Sequence, residues 1–288
     1  MIGGSRMARA LLALAAVGAL AATLASAAPA AVKLSVVKSK PFTVSAGAGD
    51  YRFAFEDYEW VECHGSDRAL TIGWTDAHAP MALIYSHTWN EDGNLGFGTT
   101  RPAKTTRVRG VVVCAKGGFK AEAKINLRAD TVKCSKRQLA LGIPIDGGPL
   151  LSSPVASRPA GKHAWLTTGE GADASAKAIC VAASAFKRVK LVKRKAQFKP
   201  GSAKAVVKAS CARGTRPISW GYEAGTLPGN EFRLPEDIDG TNVMTSPYVA
   251  ASLPRGARSW ALTFRTPDGA RARSSTSLAL HLVCAKAT

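Results

Sequence analysis

Apolar and polar positions alternate with a period of two wherever a cysteine is near. Leu278, Leu280, Leu282 and Cys284 fall on one side of such a run, with Ser277, Ala279 and His281 on the other; Val207, Ala209 and Cys211 alternate in the same way with Lys208 and Ser210. Successive side chains of a strand leave opposite faces, so this spacing predicts half-buried strands with the cysteines pointing inward. Between the alternating runs stand turn-forming clusters: Glu91-Asp92-Gly93-Asn94, Asp146-Gly147-Gly148-Pro149 and Thr266-Pro267-Asp268-Gly269. Beyond the first 27 residues no window holds a sustained helical stripe with caps. The pattern predicts an all-β chain.

The alternating runs recur in a frame. Ala156-Ser157-Arg158-Pro159-Ala160-Gly161 leads to Trp165, and Ala251-Ser252-Leu253-Pro254-Arg255-Gly256 leads to Trp260, with Pro two, Gly four and Trp eight residues after Ser in both. Ile72-Gly73-Trp74 stands nine to eleven residues after Cys63, Trp220-Gly221-Tyr222 stands at the same offsets from Cys211, and Leu141-Gly142-Ile143 is a shorter version. The closing strands Val113-Cys114-Ala115-Lys116, Ile179-Cys180-Val181 and Val283-Cys284-Ala285-Lys286 also agree. The first copy is the most divergent, with Ser86-His87-Thr88 where Pro is expected and Phe97 in the tryptophan's place.

This frame pairs Cys63 with Cys114, Cys134 with Cys180, and Cys211 with Cys284. It predicts three tandem, disulfide-closed β-sandwich or barrel-like modules: residues 33–116, 117–183 and 184–288, the last with an inserted acidic loop near 223–245. Loops of about 45 to 75 residues closed by a bridge gain roughly 4 kcal/mol each in the chain-entropy model, comparable to the stability margin of a small domain.

Residues 1–27 read as a cleaved signal peptide: Arg6 and Arg9, an apolar run from Leu11 to Leu24, then Ala25-Ser26-Ala27. No later apolar stretch approaches the ~20 residues of a membrane-spanning helix. The expectation is a secreted protein, extracellular or periplasmic, where six cysteines oxidise to disulfides. Losing Arg6 and Arg9 with the leader lowers the formal charge from +19 to +17. A field of that size attracts polyanions.

Cys211-Ala212-Arg213-Gly214, Ser252-Leu253-Pro254 and Trp260 are the best rendering of a pattern of Cys, apolar-Gly, Ser-x-Pro, Trp and Val-Cys-Ala. Over residues 33–286 the chain resembles a module repeated in secreted bacterial proteins and some phage tail proteins, and it departs from that module in lacking a Gly-Gly-Gly run after the first cysteine. The resemblance implies a β-rich, disulfide-closed binding or display module. An immunoglobulin-like sandwich competes on the Cys63, Trp74, Cys114 spacing, but no tyrosine stands two residues before Cys114, Cys180 or Cys284.

The strongest charge anomaly runs from Ala174 to Tyr222, with twelve Lys or Arg and no acid. Its centre is Lys187, Arg188, Lys190, Lys193, Arg194, Lys195 and Lys199, interleaved with Val189, Leu191, Val192 and Phe198. Two readings compete: a ribbon that docks phosphates or sulfates of a cell-envelope polymer, or lysines that guard an edge strand against aggregation. Nucleic acid would bind only non-specifically, because no reading motif accompanies the cations.

Other chemistry is thinner. Asp76, His78 and His87 offer an acid-base or metal-ligand set for an enzyme, the alternative to a binding protein. Asp237-Ile238-Asp239-Gly240-Thr241-Asn242 carries oxygen ligands at alternate positions around a glycine, without the spacing of a known calcium loop. Tyr51, Phe53, Phe55, Tyr58 and Trp60, beside Glu56, Asp57, Glu59 and Glu62, suit either sugar stacking or core packing. No catalytic motif is present, so the reading assigns no catalytic residue, no metal and no cofactor; a structural envelope or appendage component is the third possibility.

Overall fold

The computed structural model describes residues 32–44, 59–75, 84–89, 95–99, 105–117, 120–126, 130–142, 154–169, 176–233 and 243–287. Strands dominate and no α-helix occurs among these residues. The first segment holds β1 (Lys33–Lys38), β2 (Phe42–Val44), β3 (Glu59–Val61), β4 (Arg68–Trp74), β5 (Ile84–Trp89), β6 (Leu95–Thr99), β7 (Thr106–Val108) and β8 (Gly110–Lys116). The second holds β9 (Ala121–Asn126), β10 (Thr131–Lys133), β11 (Gln138–Gly142), β12 (Pro154–Pro159), β13 (Ala164–Gly169) and β14 (Ala176–Ala182). A 3-10 turn, Ala183–Ala185, leads into β15 (Phe186–Phe198), β16 (Lys204–Ser210), β17 (Arg216–Ala224), β18 (Phe232–Arg233), β19 (Val243–Met244), β20 (Tyr248–Pro254), β21 (Ser259–Arg265) and β22 (Thr276–Ala287).

The strand order repeats. In each segment the opening and closing strands pair, and the strand after the first cysteine joins the closing one: β1-β8-β4, β9-β14-β11 and β15-β22-β17. A second triplet forms beside it: β3-β6-β5, β10-β13-β12 and β16-β21-β20. The disulfides Cys63–Cys114, Cys134–Cys180 and Cys211–Cys284 staple the two triplets of each segment, in the order the repeats predict. Val207, Ala209 and Cys211 are buried while Lys208 and Ser210 are exposed, as the period-two pattern predicts for β16; in β22, by contrast, Ala279 and His281 are buried along with Leu278, Leu280, Leu282 and Cys284, so that strand is covered on both faces.

The sheets, however, cross the segment boundaries. β4 continues onto β20, giving the six-stranded order β1-β8-β4-β20-β21-β16, and β12 continues onto β17, giving β10-β13-β12-β17-β22-β15. Residues 31–288 accordingly form one compact unit.

Two sequence motifs make these junctions. In the hairpins β12–β13 and β20–β21, Pro159 lies opposite Trp165 and Pro254 opposite Trp260. The serine two residues before each proline shares the tryptophan's face: Trp165 Nε1 donates to Ser157 Oγ at 2.9 Å, and Trp260 Nε1 to Ser252 Oγ at 2.8 Å. All four residues are buried, where an indole N–H needs an acceptor. Each hairpin then seats on a glycine of another segment, β12–β13 on Gly221 of the third and β20–β21 on Gly73 of the first. A Cβ on Gly73 would lie 2.1 Å from the Ser252 carbonyl oxygen, and one on Gly221 would lie 2.3 Å from that of Ser157. Only a glycine permits so close an approach.

The tryptophans meet at the centre of the core. Trp74 and Trp220 pack edge to face with centroids 5.6 Å apart, and Trp220 stacks on Trp260 at 6.4 Å. Trp220 Nε1 donates to the carbonyl of Ile72 in the first segment at 2.7 Å.

Candidate functional site

The acid-free run forms β15, the outermost strand of its sheet, hydrogen-bonded to β22 alone among the described strands. Lys187, Arg188, Lys190, Lys193, Arg194, Lys195 and Lys199 are all exposed. They do not share one face. Past a bulge between Lys187 and Lys190, Lys190 and Arg194 stand over Cys284 and Leu280 on the side of the disulfide, while Lys193 and Lys195 stand over His281 and Ala279 on the other. Because β15 is an edge, cations on both of its faces reach solvent, and the ribbon wraps the edge.

On the second face four strands bring together a cluster that the sequence did not reveal: Arg158 of β12, Glu223 of β17, His281 of β22 and Lys193 of β15. Glu223 Oε1 takes Arg158 Nε, its Oε2 takes Lys193 Nζ, and the same Oε2 lies 3.4 Å from His281 Nε2. Gly221, opposite His281 on β17, has no side chain and leaves that row open to Arg158 and Glu223. The members come from four separate places in the sequence. Available signals were the lone Arg158 between the repeated Ser and Pro, His281 within a leucine alternation, and Glu223 as the first acid after the basic run.

Partial burial raises the Glu223 carboxyl, but a hydrogen bond from Lys193 and the charges of His281 and Arg158 outweigh it, so the group titrates below its ordinary 4.5. Burial is also the main influence on His281 and lowers it from 6.5, with Lys193 and Arg158 repelling the imidazolium and Glu223 opposing them. Both shifts have the same consequence. Below pH 6.5 the unfolded chain binds a proton that folded His281 resists, and the stability due to Glu223 is lost as pH falls below 4.5 through its folded value. The thermal midpoint should therefore fall between pH 7 and 5, and His281→Gln should flatten that slope; an unchanged slope in the variant would remove His281 from the account.

Asp76 and His78 lie outside the described residues, as does the segment Asp237 to Asn242. His87 stands on β5 and Trp60 on β3, but their side chains fall outside the description, as do Tyr51, Phe53, Phe55 and Tyr58 altogether. Among the described residues no three His, Cys, Asp or Glu side chains come together as a metal-binding group.

Compared with known proteins, the chain matches no family model, and no curated protein is significantly similar to it.

Proposed function

We propose that this chain is an exported, non-enzymatic binding protein that contacts phosphate- or sulfate-bearing polymers of a cell envelope through the edge strand β15. The observation that carries the reading is the state of its cations. Lys193 is held by Glu223, whereas Lys187, Arg188, Lys190, Arg194, Lys195 and Lys199 are exposed and have no ion-pair partner among the described residues. Such charges attract a polyanion over roughly 8 Å at physiological salt. Three disulfides suit an oxidising compartment, and no described helix is long and apolar enough to cross a membrane. Nucleic acid would bind without sequence preference.

A second reading rests on the same strand. β15 is an edge, and lysines on edges block strand-to-strand aggregation. Charge reversal separates the two, because glutamate guards an edge as well as lysine does. Changing Lys190, Arg194 and Lys195 to Glu should leave the oligomeric state unchanged under either reading. Docking requires in addition that the salt needed to elute it from heparin drop sharply, and unchanged retention would leave edge protection as the strand's role.

A further inference from the structure

We propose that the end of the fold where the segments join carries an anion-binding station that shares only Lys187 with the ribbon: two opposed lysine pairs, Lys33 with Lys116 and Lys187 with Lys286, with Arg216 between their strands. Its ligand is a phosphate or sulfate group of an oligo-anion. The inference deepens the polyanion reading and rests on it for the ligand's class.

β1 begins at Lys33 directly opposite Lys116 at the end of β8, and β15 begins near Lys187 directly opposite Lys286 at the end of β22. The two pairs occupy equivalent places in the repeated triplets β1-β8-β4 and β15-β22-β17. Directly opposed residues of neighbouring strands hold their Cβ atoms about 4.5–5.5 Å apart, where like charges oppose folding. One acidic residue at either position would have formed a favourable pair. Both pairs are exposed, and among the described residues none of the four lysines has an ion-pair partner. The arrangement places repelling charges side by side with no described acid to neutralise them.

Arg216 lies between the two strand ends in the backbone, its side chain on the face of Ala285. It opens β17 opposite Ala285, the residue before Lys286, and its Nη1 donates to the carbonyl of Leu34, the residue after Lys33, at 3.4 Å. It is exposed and lines a groove with Val36, Pro254 and Trp260. A guanidinium has five N–H donors, so the bond to Leu34 leaves others for an oxyanion in the fork geometry that suits phosphate. Next to Lys187, Arg188 has a φ of 53°, a left-handed backbone that a non-glycine residue holds at a cost, and it sits in the bulge that breaks the ladder between Lys187 and Lys190. The deformation lies at the mouth of the second lysine pair.

The probe is inorganic tripolyphosphate, titrated at low salt into the full chain and followed by calorimetry. Lys116→Glu with Lys286→Glu should weaken binding at least tenfold. The ribbon variant with Lys190, Arg194 and Lys195 changed to Glu should weaken it by less than threefold. Without anion, the thermal midpoint of the double variant should equal or exceed that of the parent, because each repelling pair becomes an attracting one. Equal affinity in the double variant, or a lowered midpoint, would overturn the station. So would absence of tripolyphosphate binding by the parent while heparin retention still depends on β15; that result leaves the broader polyanion reading intact. If heparin retention is instead indifferent to β15 while tripolyphosphate still responds to Lys116 and Lys286, the ribbon fails and the station stands.

Discussion

Gly73→Ala should be among the most damaging single substitutions in this protein, lowering stability by about 3 kcal/mol or more. The added methyl would meet the Ser252 carbonyl at 2.1 Å and the Trp260 ring at 2.9 Å. The first atom belongs to the backbone of β20, so no side-chain rotation relieves the clash. Separation of the strands would open the β4–β20 junction, whose register rests on the pairing of Ser252 with Trp74. Gly161→Ala provides the control. That residue has a φ of 94° but nothing within 4 Å of its would-be Cβ, so the cost there is backbone strain of about 1–2 kcal/mol. Urea midpoints of the two variants measure the difference, and a Gly73→Ala midpoint at or above the control would mean that the hairpin does not depend on that close approach.

Removing the Cys211–Cys284 bridge by a double change to alanine should destabilise by about 4 kcal/mol, comparable to the margin of an ordinary domain. This bridge spans 73 residues, against 51 and 46 for the other two, and in the chain-entropy model it restrains the unfolded chain most. It also joins β22 to the end of β16, and those strands belong to the two different six-stranded sheets. Its loss therefore frees both sheets. Thermal unfolding of the oxidised double variant is the measurement, and a midpoint within two or three degrees of the parent, a shift below about 1 kcal/mol, would show that packing of the tryptophan core alone holds the sheets together.

Much of this was legible before any coordinates. The cysteine partners followed from the repeated frame, and the disulfide face of β22 followed from Leu278, Leu280, Leu282 and Cys284, whereas the burial of Ala279 and His281 on its other face did not. The Ser-x-Pro and Trp spacing was visible as a motif without its meaning. Eight residues of separation place the serine and the indole on one face of a hairpin, and that is apparent once Pro159 is seen opposite Trp165. The cluster around Glu223 was not legible. Arg158, Lys193, Glu223 and His281 are neighbours through lateral hydrogen bonding of four strands, a relation that leaves no local period in the chain.

Local alternation and turn chemistry thus decided that the chain is all-β and, at β16, which side turns inward, because pleating ties every side chain's direction to its neighbours in sequence. The duplicated frame decided which thiols meet. Tertiary structure alone decided that β4 joins β20 and β12 joins β17, so that each six-stranded sheet is shared by two segments. Backbone N–H and C=O groups pair with any strand of suitable shape, so partners are chosen by which edge is open and by where a missing side chain, at Gly73 or Gly221, lets another backbone come close.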